Sequence, residues 1–100
     1  MSTVNVKKEG NDLVISISGR FDFNILQAFR DAYANHNGAG VHYVVDLAKT
    51  DYIDSSALGM LLNMKNHLNA ADGVIAIKNC QPNLQKIFSI AHFDKKFKMV

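Results

Sequence analysis

Tyr43-Val44-Val45-Asp46-Leu47 and, shortly after it, Tyr52-Ile53-Asp54-Ser55-Ser56-Ala57-Leu58-Gly59 decide the reading of this chain. The first stretch is nearly continuous apolar, the pattern of a central strand covered on both faces. A short turn is expected to follow, and Asp54-Ser55-Ser56 then opens a helix. The first turn of a helix has N–H groups without partners and carries the positive end of the helix dipole. An anion such as phosphate suits that place. The two hydroxyls therefore read either as caps, since Ser is a preferred N-cap, or as a switch beside acidic residues.

Downstream, the helix is expected to run from about Ser55 to Ala71. Ala57, Leu61, Met64, Leu68 and Ala71 form its buried stripe, while Lys65, Asn66 and Asn69 face water. Asp72-Gly73 ends it, and Val74-Ile75-Ala76-Ile77 reads as another buried strand. Pro82 suits the first turn of a third helix, in which Leu84, Ile87, Phe88 and Ala91 have helical spacing. Phe97 to Val100 reads as a final edge strand.

Upstream, Val4 and Val6 alternate with polar residues as an edge strand does. Gly10-Asn11-Asp12 is a hairpin turn. The next strand places Leu13, Ile15 and Ile17 on one face and ends at Gly19. Phe21-Asp22-Phe23 is a connector. Asn24 caps a helix with Gln27 completing a capping box, and Ile25, Phe29, Ala32 and Tyr33 share its face, with Leu26 at the edge. Gly38 and Gly40 stop it. Asp46 and Asp51 read as solvated loop residues. The order β-β-α-β-α-β-α-β predicts an α/β fold: a mixed, largely parallel sheet of four to five strands packed with helices.

One hundred residues, 48% of them hydrophobic and 20% charged, make one globular domain over residues 1–100. A lone cysteine, Cys80, excludes an intramolecular disulfide and fits a reducing compartment. The first residues lack the apolar core of a signal peptide, and no apolar run approaches the roughly 18 to 20 residues that span a bilayer. A cytoplasmic protein without membrane insertion is the expectation. The net charge of +2 is too small to point to nucleic acid, and Lys95, Lys96 and Lys98 read as a solvated edge. His36, His42, His67 and His92 form no metal-ligand pair at helical spacing. There is no phosphate-binding Gly-x-x-x-x-Gly-Lys-Ser/Thr loop, and Ser55 does not lie in a Gly-x-Ser-x-Gly elbow. No enzyme activity, metal or cofactor is expected. A small α/β hydrolase using Ser55 is the enzyme rival, and it predicts labelling by a fluorophosphonate.

Three segments resemble the STAS family, named for sulphate transporters and anti-sigma factor antagonists. Gly19-Arg20-Phe21-Asp22 is similar to its Gly-x-Leu-Asp, Val44-Val45-Asp46-Leu47 to its central strand, and Ile53-Asp54-Ser55-Ser56-Ala57-Leu58-Gly59 to its Asp-Ser-Ser/Thr-Gly-Leu-Gly signature. With the element order, the resemblance covers nearly the whole chain. It implies an anti-sigma factor antagonist that binds a Ser/Thr-kinase anti-sigma factor when unphosphorylated, is switched off by phosphorylation of Ser55, and is restored by a PP2C-type phosphatase. Asp22, Asp54, Ser55, Ser56 and Ala57 are the implied partner-binding residues. Some family members are instead constitutive subunits of membrane transport complexes, including lipid-transport ATPases, which is the alternative. Ala57 replaces the usual Gly, which is harmless in an ordinary helical conformation. Many relatives continue past the equivalent of Val100 into a further helix; without it apolar surface could be left exposed, and self-association as a homodimer is one way to cover it.

A phosphoserine carries about −1.5 to −2 charge at neutral pH. At Ser55 it would gain from the helix start, about 0.3 to 1 kcal/mol, and be opposed by Asp54 and, given the family fold, by Asp22. Two unit charges about 4 Å apart interact by roughly 1 kcal/mol in water and about 4 kcal/mol at an intermediate dielectric. The effect on a docked, water-excluding partner is therefore expected to exceed the effect on the fold.

Overall fold

The computed structural model describes residues 2–34 and 41–100. Strands β1 (Thr3–Glu9) and β2 (Asp12–Phe21) pair antiparallel through a turn at Gly10, whose φ of +60° a glycine adopts without strain. Three helix-then-strand units follow: α1 (Leu26–Ala34) and β3 (His42–Ile53), α2 (Ser55–His67) and β4 (Ile75–Lys78), α3 (Pro82–Ile90) and β5 (Lys98–Met99). Short 3-10 turns precede α1, at Phe23–Ile25, and β5, at Phe93–Lys95. The sheet runs β1-β2-β3-β4-β5, and β2 to β5 are mutually parallel. The mixed α/β architecture and the element order are those the sequence predicts. The expected stop at Gly38 and Gly40, and His36, lie outside the described residues.

The strand order explains where the core lies. From β2 onward each new strand is added on the same side of the last. Right-handed crossovers taken in one direction put every helix on one face. Burial follows that rule. Leu13, Ile15, Ile17, Tyr43, Val45, Ile75 and Ile77 are buried, and they pack with Phe29, Tyr33, Leu61, Met64, Leu84 and Phe88 of the helices. Each such side chain stabilises the fold by about 1.5 to 3 kcal/mol. The opposite face holds Val14, Ser16, Val44, Asp46 and Ala76, all only half-buried. β3 is thus covered fully on one face, not on both as its apolar run predicts. Val44 and Asp46 occupy the less covered side.

Several boundaries differ from the sequence reading for local reasons. β2 does not end at Gly19; it continues to a buried Phe21. β3 likewise runs on to Ile53, so Asp46 and Asp51 belong to a strand and no separate turn precedes α2. α2 stops at His67 instead of Ala71, because Asn69 takes a positive φ of 51° and the Ala70 N–H donates back to the Lys65 carbonyl. Lys65 does not simply face water; its Nζ pairs with Asp72 at 3.0 Å and its side chain is largely covered.

The pairing of β2 with β3 is the feature that builds the site. Ser16 pairs with Asp46, Ser18 with Lys49, Arg20 with Tyr52 and Phe21 with Ile53, so β3 spends two more residues than β2 over this stretch. These are bulges, which re-aim side chains. One turns Thr50 fully inward, where its Oγ1 donates to the Ile17 carbonyl at 2.6 Å. They also bring Phe21 and Ile53 level, so Asp22 and Asp54 leave the sheet side by side at the carboxyl edge of adjacent parallel strands. Open α/β sheets place their binding sites at that edge.

Candidate functional site at the carboxyl edge of β2 and β3

Asp54 is extended, with φ −130° and ψ −174°, and it caps α2: its Oδ1 accepts from the Ala57 N–H at 3.1 Å and from the Ser56 hydroxyl. The Ser56 hydrogen bond above all, with the Ala57 and Ser56 backbone N–H groups and the Arg20 charge, holds the Asp54 carboxyl below the usual carboxylate range although burial opposes it. The cap is therefore the aspartate, and neither serine fills that role. Ser56 is half-buried and tied to Asp54. Ser55 is exposed, in the first turn of α2. Ala57 is wholly buried, so its methyl belongs to the core and not to an exposed face; it also shows that the position usually held by glycine tolerates a side chain inside the helix.

Asp22 is the second carboxylate of this edge. It leaves β2 extended and caps the 3-10 turn, its Oδ1 accepting from the Asn24 N–H at 3.0 Å. This replaces the expected capping box. Asn24 is not the cap, and Gln27 uses its side chain to donate to Asp31 at 2.9 Å. The residue is nine-tenths buried, and its Oδ2 accepts from Arg20 Nε at 3.4 Å.

Arg20, Tyr52 and Phe23 were not singled out by the sequence. Arg20 and Tyr52 are cross-strand partners, and the Arg20 guanidinium lies 3.9 Å from the centre of the Tyr52 ring. Tyr52 is 38% exposed and Phe23, beside Asp22, is 66% exposed. Their signal was hidden: Arg20 occupied the variable position of a motif and Phe23 a connector, and the Arg20–Tyr52 pairing depends on bulges that no alternation reveals. The site thus gathers two carboxylates, one exposed hydroxyl, one stacked cation and two exposed rings. Aromatic residues and arginine are enriched where proteins dock.

The other candidates stay apart from this edge. Cys80 is buried, and burial alone pushes its thiol up to about 11, so it is neutral at ordinary pH. Among the described residues no group of three or more His, Cys, Asp or Glu could hold a metal ion. No described helix is long and apolar enough to cross a membrane.

Comparison with known proteins agrees with this fold. The family model described as "Mlab, STAS domain" matches residues 4–100. A STAS-domain containing protein of Pseudomonas aeruginosa is 45% identical over 91 residues, which cover 91% of this chain and 90% of that protein. Among solved structures, an anti-sigma factor antagonist from Mycobacterium paratuberculosis superposes with a TM-score of 0.78 at 19% identity, over 99% of this chain and 85% of that one. The Bacillus cell fate determinant SpoIIAA in its phosphorylated form superposes with a TM-score of 0.63 at 18% identity, over 98% and 91% of the two chains. At these identities the two structures establish a common fold.

Proposed function

This chain belongs to the STAS domain family, and from that membership we propose that it is an anti-sigma factor antagonist, a non-enzymatic docking module switched by phosphorylation of Ser55. The observation that carries the reading is the division of labour at the start of α2. Ser56 gives its hydroxyl to Asp54, while Ser55 stands exposed one residue from the cap. The fold shared with an antagonist solved in phosphorylated form supports the same reading.

In this mechanism the unphosphorylated edge docks an anti-sigma factor of Ser/Thr-kinase type, and the sigma factor is released. Phe23 and Tyr52 supply rigid apolar area around Ser55, and the partner excludes water from it. The kinase transfers the γ-phosphoryl group of ATP to Ser55 Oγ; ADP leaves, and the hydroxyl proton is lost. The new phosphate then lies inside an interface where repulsion is poorly screened. About 3 kcal/mol of lost interaction is roughly a hundredfold in affinity, so no large rearrangement is needed. Hydrolysis of the phosphate ester by a PP2C-type phosphatase restores docking.

Affinity capture from the source cells, with partner identification and phosphopeptide mapping, tests the proposal. The expected result is a kinase-type anti-sigma factor bound to protein that lacks phosphate, and phosphate on Ser55 in the unbound pool. A membrane-transport ATPase as the partner, with no phosphate on Ser55, would instead establish the constitutive transport-subunit reading.

A further inference from the structure

A phosphate on Ser55 would meet two carboxylates that are already in place. Asp54 precedes it in the chain and is committed to the helix cap. Asp22 leaves the adjacent strand at the same edge. A counter-charge on the domain itself would relieve that crowding. Among the described residues, the ion pair at this edge is that of Arg20 with Asp22. We propose that Arg20 is the internal phosphate partner of Ser55: once the serine is phosphorylated, the guanidinium, held on the Tyr52 ring, pairs with the phosphate and loosens its hold on Asp22.

This inference rests on the reading of Ser55 as the switch and adds how the domain accommodates the charge. Three observations carry it. First, Arg20 of β2 faces Tyr52 of β3 and stacks on its ring, which brings the cation onto the neighbouring strand at a residue three positions before Ser55. Second, its contact with Asp22 is a single long one of 3.4 Å through Nε, made by a side chain that is 59% exposed. A guanidinium has further N–H donors, and an exposed pair of this kind is weak and readily exchanged. Third, the Arg20 charge is the smallest of the causes that hold the carboxyl of Asp54, the residue adjoining Ser55, low. Arginine also matches phosphate better than it matches one carboxylate oxygen, because its planar fork can engage two phosphate oxygens at once. A carboxylate placed at position 55 would consequently imitate the phosphorylated state only in part.

The test uses full-length protein with phosphoserine installed at position 55 during translation, so that no kinase is required. The second ionisation of the phosphate is followed by 31P NMR in the wild-type sequence, in Arg20→Gln, in Arg20→Lys and in Lys86→Gln as an exposed control on α3. Arg20→Gln is expected to raise that pKa, ordinarily about 6, by about half a unit. Arg20→Lys should fall between it and wild type, and Lys86→Gln should change nothing. In the wild-type sequence the Arg20 Nε–H resonance should move on phosphorylation, a readout that needs no variant to fold. Equal phosphate pKa values in wild type and Arg20→Gln, or an unmoved Nε–H resonance, would overturn the proposal. A Ser55 that never carries phosphate in cells would sink the switch reading instead, and mapping detects that separately.

Discussion

Two helices of this protein begin at the same edge of the sheet, and they begin differently. α3 follows β4 with Gln81 at its cap position, no side-chain cap bond, and Pro82 in its first turn. Two glutamines at this start bond back to the scaffold: Gln81 Nε2 donates to the Thr50 carbonyl at 3.0 Å, and Gln85 Nε2 to the Cys80 carbonyl at 2.9 Å. α2 follows β3 with an aspartate cap that satisfies the Ala57 N–H and restrains Ser56, and the next hydroxyl, Ser55, is left to solvent. One helix start is wired for rigidity, the other for access. A carboxylate that caps the helix frees the serine beside it from that structural duty.

The sharpest way to break this contrast is to remove each hydroxyl in turn. Ser55→Ala should abolish phosphate incorporation from ATP by the cognate kinase, whereas Ser56→Ala should retain it; labelling that survives in Ser55→Ala would show that the exposed hydroxyl is not the acceptor. A second test concerns the shared foundation of both helix starts. Thr50→Val removes the buried donor to the Ile17 carbonyl at the bulge and should cost about 1 to 3 kcal/mol in denaturant unfolding. A neutral result would mean that the bulge holds without it.

Next in size is the cap. Asp54→Ala should destabilise the fold by about 1 kcal/mol, while Asp54→Asn should retain most of that, since asparagine caps as well. Because the folded-state pKa of Asp54 is lowered, its ionised form stabilises the fold above the unfolded value of about 3.9, and that contribution is lost as pH falls through the folded value. The unfolding free energy of Asp54→Asn should accordingly vary less with pH than that of wild type over that acid range. The smallest effect belongs to α3. Gln81→Ala should cost about 0.5 to 1.5 kcal/mol, the worth of one ordinary hydrogen bond, and should leave partner affinity unchanged. A loss of affinity there would erase the distinction between the two helix starts.

Much of this architecture was legible because it rests on local periodicity. Leu13, Ile15 and Ile17 alternate, Phe29 and Tyr33 recur at helical spacing, and all five are buried. Pro82 marked its helix start correctly. What escaped was non-local. The apolar run of β3 looks the same whether one face of a sheet is covered or two, and strand order decides between them. The bulges that put Arg20 opposite Tyr52 leave no mark in the alternation of either strand. Asn24 and Gln27 satisfied a capping pattern, yet Asp22 was better placed, because the extended end of β2 delivers its carboxylate to the Asn24 N–H. In the site itself, Asp22, Asp54, Ser55 and Ser56 were legible as a motif. The resemblance already set Ser55 apart as the phosphorylated serine; the hydrogen bond that ties Ser56 to Asp54 required coordinates.

The most direct test of the switch is a matched affinity measurement by calorimetry. The captured anti-sigma factor would be titrated with this protein carrying serine at position 55 and with the same protein carrying phosphoserine there. A roughly hundredfold weaker Kd for the phosphorylated form, corresponding to about 3 kcal/mol, is the predicted result. Equal affinities for the two forms would contradict the account.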